Sequence, residues 1–142
     1  MGRDEQAPMG EAERAQGGRK HLFAINGEPD FLDLIRLLFQ RAEYNVTTTN
    51  FVPATFDQIA ALDPDLLLVD LAWGERAGWD LLERLNAEAR TRGIPVVVLS
   101  TSPDYLARVR ADPARYGGDA VLAKPFEADD LLRVVRDLIG HA

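Results

Sequence analysis

Three residues of this sequence could together hold a small anion, and each stands where a short apolar run stops. Asp70 closes Leu66-Leu67-Leu68-Val69, Ser100 closes Val96-Val97-Val98-Leu99, and Lys124 follows Ala120-Val121-Leu122-Ala123. A carboxylate can act as a nucleophile or a cation ligand, a hydroxyl can donate a hydrogen bond, and an ammonium can neutralise charge. Each alone is weak evidence, because an aspartate after a strand is often a helix cap and Lys-Pro is a common dipeptide. All three at successive run ends are hard to attribute to chance. A fourth run, Leu22-Phe23-Ala24-Ile25, ends in Asn26-Gly27-Glu28 and brings an amide and a second carboxylate to the same list.

The elements that must position these residues follow from hydrophobic periodicity. Continuous apolar runs of this length suit strands covered on both faces, as in a parallel sheet. Val46-Thr47-Thr48-Thr49 reads as a more polar strand at an edge. Between the strands, apolar residues recur at helical spacing. Pro29 and Asp30 open a first helix carrying Phe31, Ile35, Leu38 and Ala42, thickened by Leu34 and Phe39. Phe56, Ile59, Ala60 and Leu62 mark a second, closed by Asp63-Pro64, and Leu82, Leu85 and Ala89 a third, ended by Gly93 and Pro95. Pro103-Asp104 opens a fourth through about Arg110, and Pro113 with Gly117-Gly118 ends that region. Ala128, Leu131, Leu132, Val135, Leu138 and Ile139 make an amphipathic last helix. Five strands alternating with five helices imply right-handed crossovers and a doubly wound α/β sheet. Ligands of such sheets bind beyond the carboxyl ends of the strands, where Asp70, Ser100 and Lys124 lie.

At 142 residues the chain fits one domain. Residues 1–19 have almost nothing to bury and read as a flexible tail, leaving 20–142 as the folded domain, with no room for an output domain after the last helix. The absence of cysteine removes disulfides, thiolate metal sites and cysteine nucleophiles. Sixteen basic against 23 acidic residues give a net charge of −7, all of it on residues 21–142. That balance disfavours direct nucleic-acid binding but not a protein partner. No apolar stretch approaches a membrane span and nothing at the start resembles a signal peptide, so the expected location is cytoplasmic.

The order of these residues resembles the receiver domain of response regulators in two-component signalling. Leu66–Asp70 resembles the phosphoacceptor strand, with Gly78 eight residues on, where the family usually has glycine. Ile94–Ser100 resembles the strand carrying the Ser/Thr, Lys124-Pro125-Phe126 the Lys-Pro-Phe signature, and Glu28-Pro29-Asp30 the segment after the family's acidic pair. The resemblance covers residues 20–140 and implies a flavodoxin-like five-stranded parallel sheet in the order 2-1-3-4-5. It implies that Asp70 accepts a phosphoryl group from a phosphohistidine on a histidine kinase or phosphotransfer protein. Lys124 would pair with Asp70 and then with the phosphoryl oxygens, Ser100 would donate to one of them, and the Thr101 backbone N–H would donate to another. It implies Mg²⁺ on Asp70 and the Ala72 main-chain carbonyl. The output surface would be the fourth helix, fifth strand and last helix, where Arg108, Arg110 and Arg115 concentrate basic charge and where receivers also homodimerise. Such a domain is a signalling element, not an enzyme beyond slow self-catalysed phosphorylation and dephosphorylation.

The sequence departs from the family at the metal. The aligned positions of the acidic pair are Asn26 and Gly27, and Glu28 comes one residue late. Asp70, helped by the Asn26 side-chain oxygen or by Glu28 through water, would hold Mg²⁺ only weakly. Val121 stands where the family has a switching aromatic, and Gly74 and Ala77 replace a proline and an aspartate. Trp73 adds a large apolar residue to the loop after Asp70. These departures keep a second reading in play, a phosphorylation-independent pseudo-receiver acting as a protein-interaction module. A flavin site fits poorly because Glu28 would repel a phosphate in the first loop. Cobalamin fits poorly because His21 and His141 are the only histidines, at the start of the first strand and at the C-terminus. A hydrolase lacks a G-x-S-x-G elbow and a histidine near Ser100.

Overall fold

A computed structural model describes residues 19–50, 54–71 and 76–141. The expected tail at 1–19 therefore falls, except for Arg19, outside the described residues, as do Ala72, Trp73 and Gly74. Five strands, β1 (His21–Ile25), β2 (Asn45–Thr49), β3 (Leu66–Asp70), β4 (Val96–Ser100) and β5 (Ala120–Ala123), form one parallel sheet in the order β2-β1-β3-β4-β5. This is the flavodoxin-like order. The helices are α1 (Pro29–Arg41), α2 (Thr55–Leu62), α3 (Ala77–Ala87), α4 (Pro103–Ala111), the short α5 (Pro113–Tyr116) and α6 (Ala128–Ile139).

The period-two alternation of the strands sorts the core into two layers. Phe23, Ile25, Leu67, Val69, Val96 and Val98 face α2, α3 and α4, where Phe56, Ile59, Leu82, Leu85, Leu106 and Val109 meet them. Leu22, Ala24, Leu66, Leu68, Val97 and Leu99 face α1 and α6, where Ile35, Phe39, Leu131 and Val135 meet them. β1, β3 and β4 are buried along their whole length, which is why they read as unbroken apolar runs. β2, with Thr47, Thr48 and Thr49, is half-buried at one edge, and β5 is the other edge.

Two expectations need correction. On α1, Ile35 and Phe39 are buried and Phe31, Leu38 and Ala42 pack half-buried against the core as expected, joined by Leu32, but Leu34, expected to thicken the stripe, is 65% exposed. The region after Arg110 does not simply end, because Pro113–Tyr116 forms a sixth helical piece. Its Tyr116 ring is 2% exposed and packs edge-to-face on Trp79 of α3, so burial of one aromatic gives this turn its structure.

Candidate functional site

Ladder bonds bring the chemically active residues to one edge of the sheet. The Asn26 N–H donates to Thr49 O (3.1 Å), the Leu71 N–H to Leu99 O (2.8 Å) and the Lys124 N–H to Ser100 O (2.9 Å). The register pairs Asp70 with Leu99 and Ser100 with Ala123, so Asp70, Ser100 and Lys124 lie on three adjacent strands at one level. Lys124 crosses this edge to place its Nζ against Asp70 Oδ2. The Asn26 amide donates to the same oxygen. Asp70 is 5% exposed and Asn26 4%. The Lys124 ammonium also sits 4.1 Å above the Phe31 ring at the start of α1, a cation–π contact that steadies its far side.

Burial pushes the Asp70 carboxyl above the ordinary carboxylate range, because water no longer solvates its charge. The Lys124 hydrogen bond and charge pull against that rise, Glu28 adds to it and the Asn26 hydrogen bond offsets a little more. The outcome is a buried carboxylate met by two donors on one oxygen.

Ser100 is wholly buried, and its hydroxyl faces the backbone. It donates to Leu71 O (2.8 Å) and accepts from the Ser102 N–H (3.0 Å). To reach an anion on Asp70 it must exchange the Leu71 carbonyl for that anion. Thr101 is exposed on the turn before α4, and Ser102 caps that helix by accepting from the Tyr105 N–H (3.2 Å).

Of the metal ligands suggested by the sequence, Asn26 and Asp70 come together, but with the amide's donor end and not its oxygen toward the carboxylate. The Asn26 carboxamide oxygen accepts the Glu28 N–H (2.6 Å), which fixes the amide with its NH₂ toward Asp70. Glu28 is exposed, and Ala72 lies outside the described residues. Among the described residues no group of three or more His, Cys, Asp or Glu side chains is placed to hold a metal ion. Among the described residues, the side chains around Asp70 thus offer Mg²⁺ no assembled set of oxygens.

Sequence reasoning missed the surface beside the site. Leu34 and Leu37 are the exposed large apolar side chains among the described residues. With Phe31, Leu38, Pro125 and Phe126 they line a groove of about 490 Å³ that reaches Lys124. The signal was present as a surplus of apolar residues on α1, more than one buried stripe can use. It also missed a clamp on α4: the Arg108 guanidinium lies 4.3 Å over the Trp79 ring and its Nε donates to the Tyr116 hydroxyl (3.1 Å), while Tyr105 meets Trp79 edge-to-face.

An open parallel sheet carrying a buried aspartate against a lysine at its carboxyl edge defines a doubly wound α/β domain. The sequence profile of the response regulator receiver domain matches residues 22–136, and the chain belongs to that family, whose members act in two-component signalling. Among curated relatives, the DNA-binding dual master transcriptional regulator RpaA of Synechocystis sp. is 29% identical over 120 residues, covering 83% of this chain and 48% of that protein. The cell cycle response regulator CtrA of Brucella ovis is 29% identical over 113 residues, covering 76% and 47%. The chain thus spans about half the length of the curated relatives it matches. Among solved structures, a response regulator from Chloroflexus aurantiacus has a TM-score of 0.74 at 24% identity, covering 87% of this chain and 99% of that one. The receiver domain of the sensor histidine kinase PA1611 from Pseudomonas aeruginosa, described with a magnesium ion coordinated in its active-site cleft, has a TM-score of 0.71 at 21% identity, covering 86% and 98%. These structural likenesses establish the fold. No described helix is long and apolar enough to cross a membrane.

Proposed function

We propose that Asp70 accepts a phosphoryl group from a phosphohistidine on a histidine kinase or phosphotransfer protein, and that the modification changes the contacts this domain makes. The observation that carries this reading is the Lys124 ammonium held against a buried Asp70 at the carboxyl edge of the sheet. In the transfer, an Asp70 oxygen forms a bond to phosphorus while the phosphorus–nitrogen bond breaks. The electron pair of that bond leaves with the imidazole, which takes up a proton. A carboxylate is a weak nucleophile, so the protein's part is positioning and charge neutralisation. Lys124 supplies a cation to the incoming oxygens, and the Ser100 hydroxyl turns from Leu71 O to one of them. The phosphohistidine-bearing protein would meet the apolar surface of Leu34 and Leu37, which borders Lys124.

The added charge, close to two units, draws the Ser100–Ser102 turn inward, and α4 begins at that turn. The face of α4, β5 and α6 is therefore the output surface for a downstream protein. Val121 on β5 has no polar tip to swing, so movement there passes through the backbone of the turn.

The test is the mass of the intact chain after incubation with a small phosphodonor. A gain of one phosphoryl group, absent in Asp70→Asn, supports the reading. No gain in a folded protein with excess donor favours the pseudo-receiver instead, an interaction module that works unphosphorylated.

A further inference from the structure

We infer that the Asp70 carboxylate is neutralised from within the chain by Lys124 and Asn26, and that Asn26 keeps a divalent cation out of the cleft. The orientation of one amide decides this. An asparagine offers an acceptor at one end and donors at the other, and its neighbours decide which faces which. The Glu28 N–H is a donor, so the end of Asn26 that meets it must be Oδ1. The NH₂ group is then committed to Asp70 Oδ2, which also receives the Lys124 ammonium. Two donors converge on one carboxylate oxygen, and both present positive charge to the space in front of it.

A divalent cation approaching that carboxylate oxygen would meet, among the described side chains, an ammonium and the donor end of an amide already bound to it. Mg²⁺ demands oxygens in near-octahedral array and gives up its waters reluctantly. Rotating the amide would offer an oxygen to the metal, but it would set the NH₂ group against the Glu28 N–H, donor against donor. Expelling Lys124 would break its contacts with both Asp70 and the Phe31 ring. Glu28, one residue past Gly27, is exposed and supplies its backbone to Asn26. Asn26 is thus a positioning residue: it fixes Asp70 while its own backbone N–H is tied to β2 through Thr49 O.

The experiment titrates ¹⁵N-labelled full-length chain with MgCl₂, and separately with MnCl₂, and follows amide shifts and paramagnetic broadening. The wild type is expected to show no saturable change centred on Asn26, Asp70 and Lys124 at millimolar metal. Asn26→Asp is expected to show it, with binding tightened by roughly ten-fold or more once a donor is replaced by a carboxylate oxygen. Saturable, site-centred broadening in the wild type overturns the inference, as does a folded Asn26→Asp protein that binds no better. If that variant does not fold, Asn26→Ser removes the amide donor without adding charge and is expected to admit the cation weakly. A folded Asn26→Ser protein as inert as the wild type overturns the inference too. No phosphoryl donor enters the titration, so its result stands apart from the acceptor reading: failed labelling of Asp70 would remove only the latter.

Discussion

Substituting the two halves of the Asp70–Lys124 pair should have opposite consequences for stability. The two side chains are 7% and 17% exposed, so the pair is dry enough for the desolvation cost of its charges to matter. Lys124→Met leaves a buried carboxylate with Asn26 as its remaining donor. Breaking a buried pair in this way costs about 3 kcal/mol, the lower part of the usual range, because Asn26 still donates. For a domain of this size that is a fall of about 12 °C in Tm, at roughly 4 °C per kcal/mol. Asp70→Asn removes the charge that burial disfavours and leaves the less buried partner, a lysine still over the Phe31 ring. It should therefore leave the fold as stable as the wild type or make it more so at neutral pH. The pH dependence follows from the direction of the Asp70 shift. A raised carboxyl binds its proton more tightly folded than unfolded, so its contribution to stability is fully present below the ordinary carboxylate value. That contribution is lost as pH rises through the raised folded value. The advantage of Asp70→Asn over the wild type should be largest at neutral pH and shrink on acidification, and the deficit of Lys124→Met should narrow at higher pH than that, because without Lys124 the folded Asp70 carboxyl protonates earlier. Urea unfolding at a series of pH values measures both. Equal losses for the two variants, or a larger loss for Asp70→Asn at neutral pH, would refute the reasoning.

Three further outcomes are expected. Leu34→Glu and Leu37→Glu should slow phosphoryl transfer from a phosphohistidine-bearing protein while leaving labelling by a small phosphodonor unchanged, since both side chains are already exposed; rate measurements with the two donors distinguish these. Ser100→Ala removes the bonds to Leu71 O and from the Ser102 N–H at a wholly buried position, and should cost about 2 kcal/mol in urea unfolding. Gly118→Ala should unfold more readily in the same assay than the wild type, because Gly118 has φ +70° and an added Cβ would lie 2.6 Å from Val109 Cγ1.

The strands were legible because three of them are buried on both faces and so had to be written in unbroken apolar residues. Their ends were legible for the same reason: Asp70 and Ser100 are polar residues placed directly after such runs. The phase of α1 was legible at Ile35 and Phe39, but the place of Leu34 was not, because Leu34 and Leu37 line the surface beside Lys124 and not the core, and an apolar count cannot separate the two. Pro113 reads as a breaker in sequence, and only the packing of Tyr116 on Trp79 makes the turn after it helical. Asn26 reads as an acid that is missing. Its part as a donor to Asp70 depends on the Glu28 N–H two residues away and on a carboxylate 44 residues away, a relation that no local pattern carries. The Ser100 hydroxyl was placed at the right edge, but its direction is set by the Leu71 carbonyl on the neighbouring strand end.

The acceptor itself is the centre of the account, and it can be read from one residue. Treating the chain with a small phosphodonor, reducing with borohydride and mapping the peptides converts an acyl phosphate on aspartate to homoserine. Homoserine is expected at position 70 and unmodified aspartate elsewhere. Conversion at another aspartate, or none in a folded chain, would contradict it.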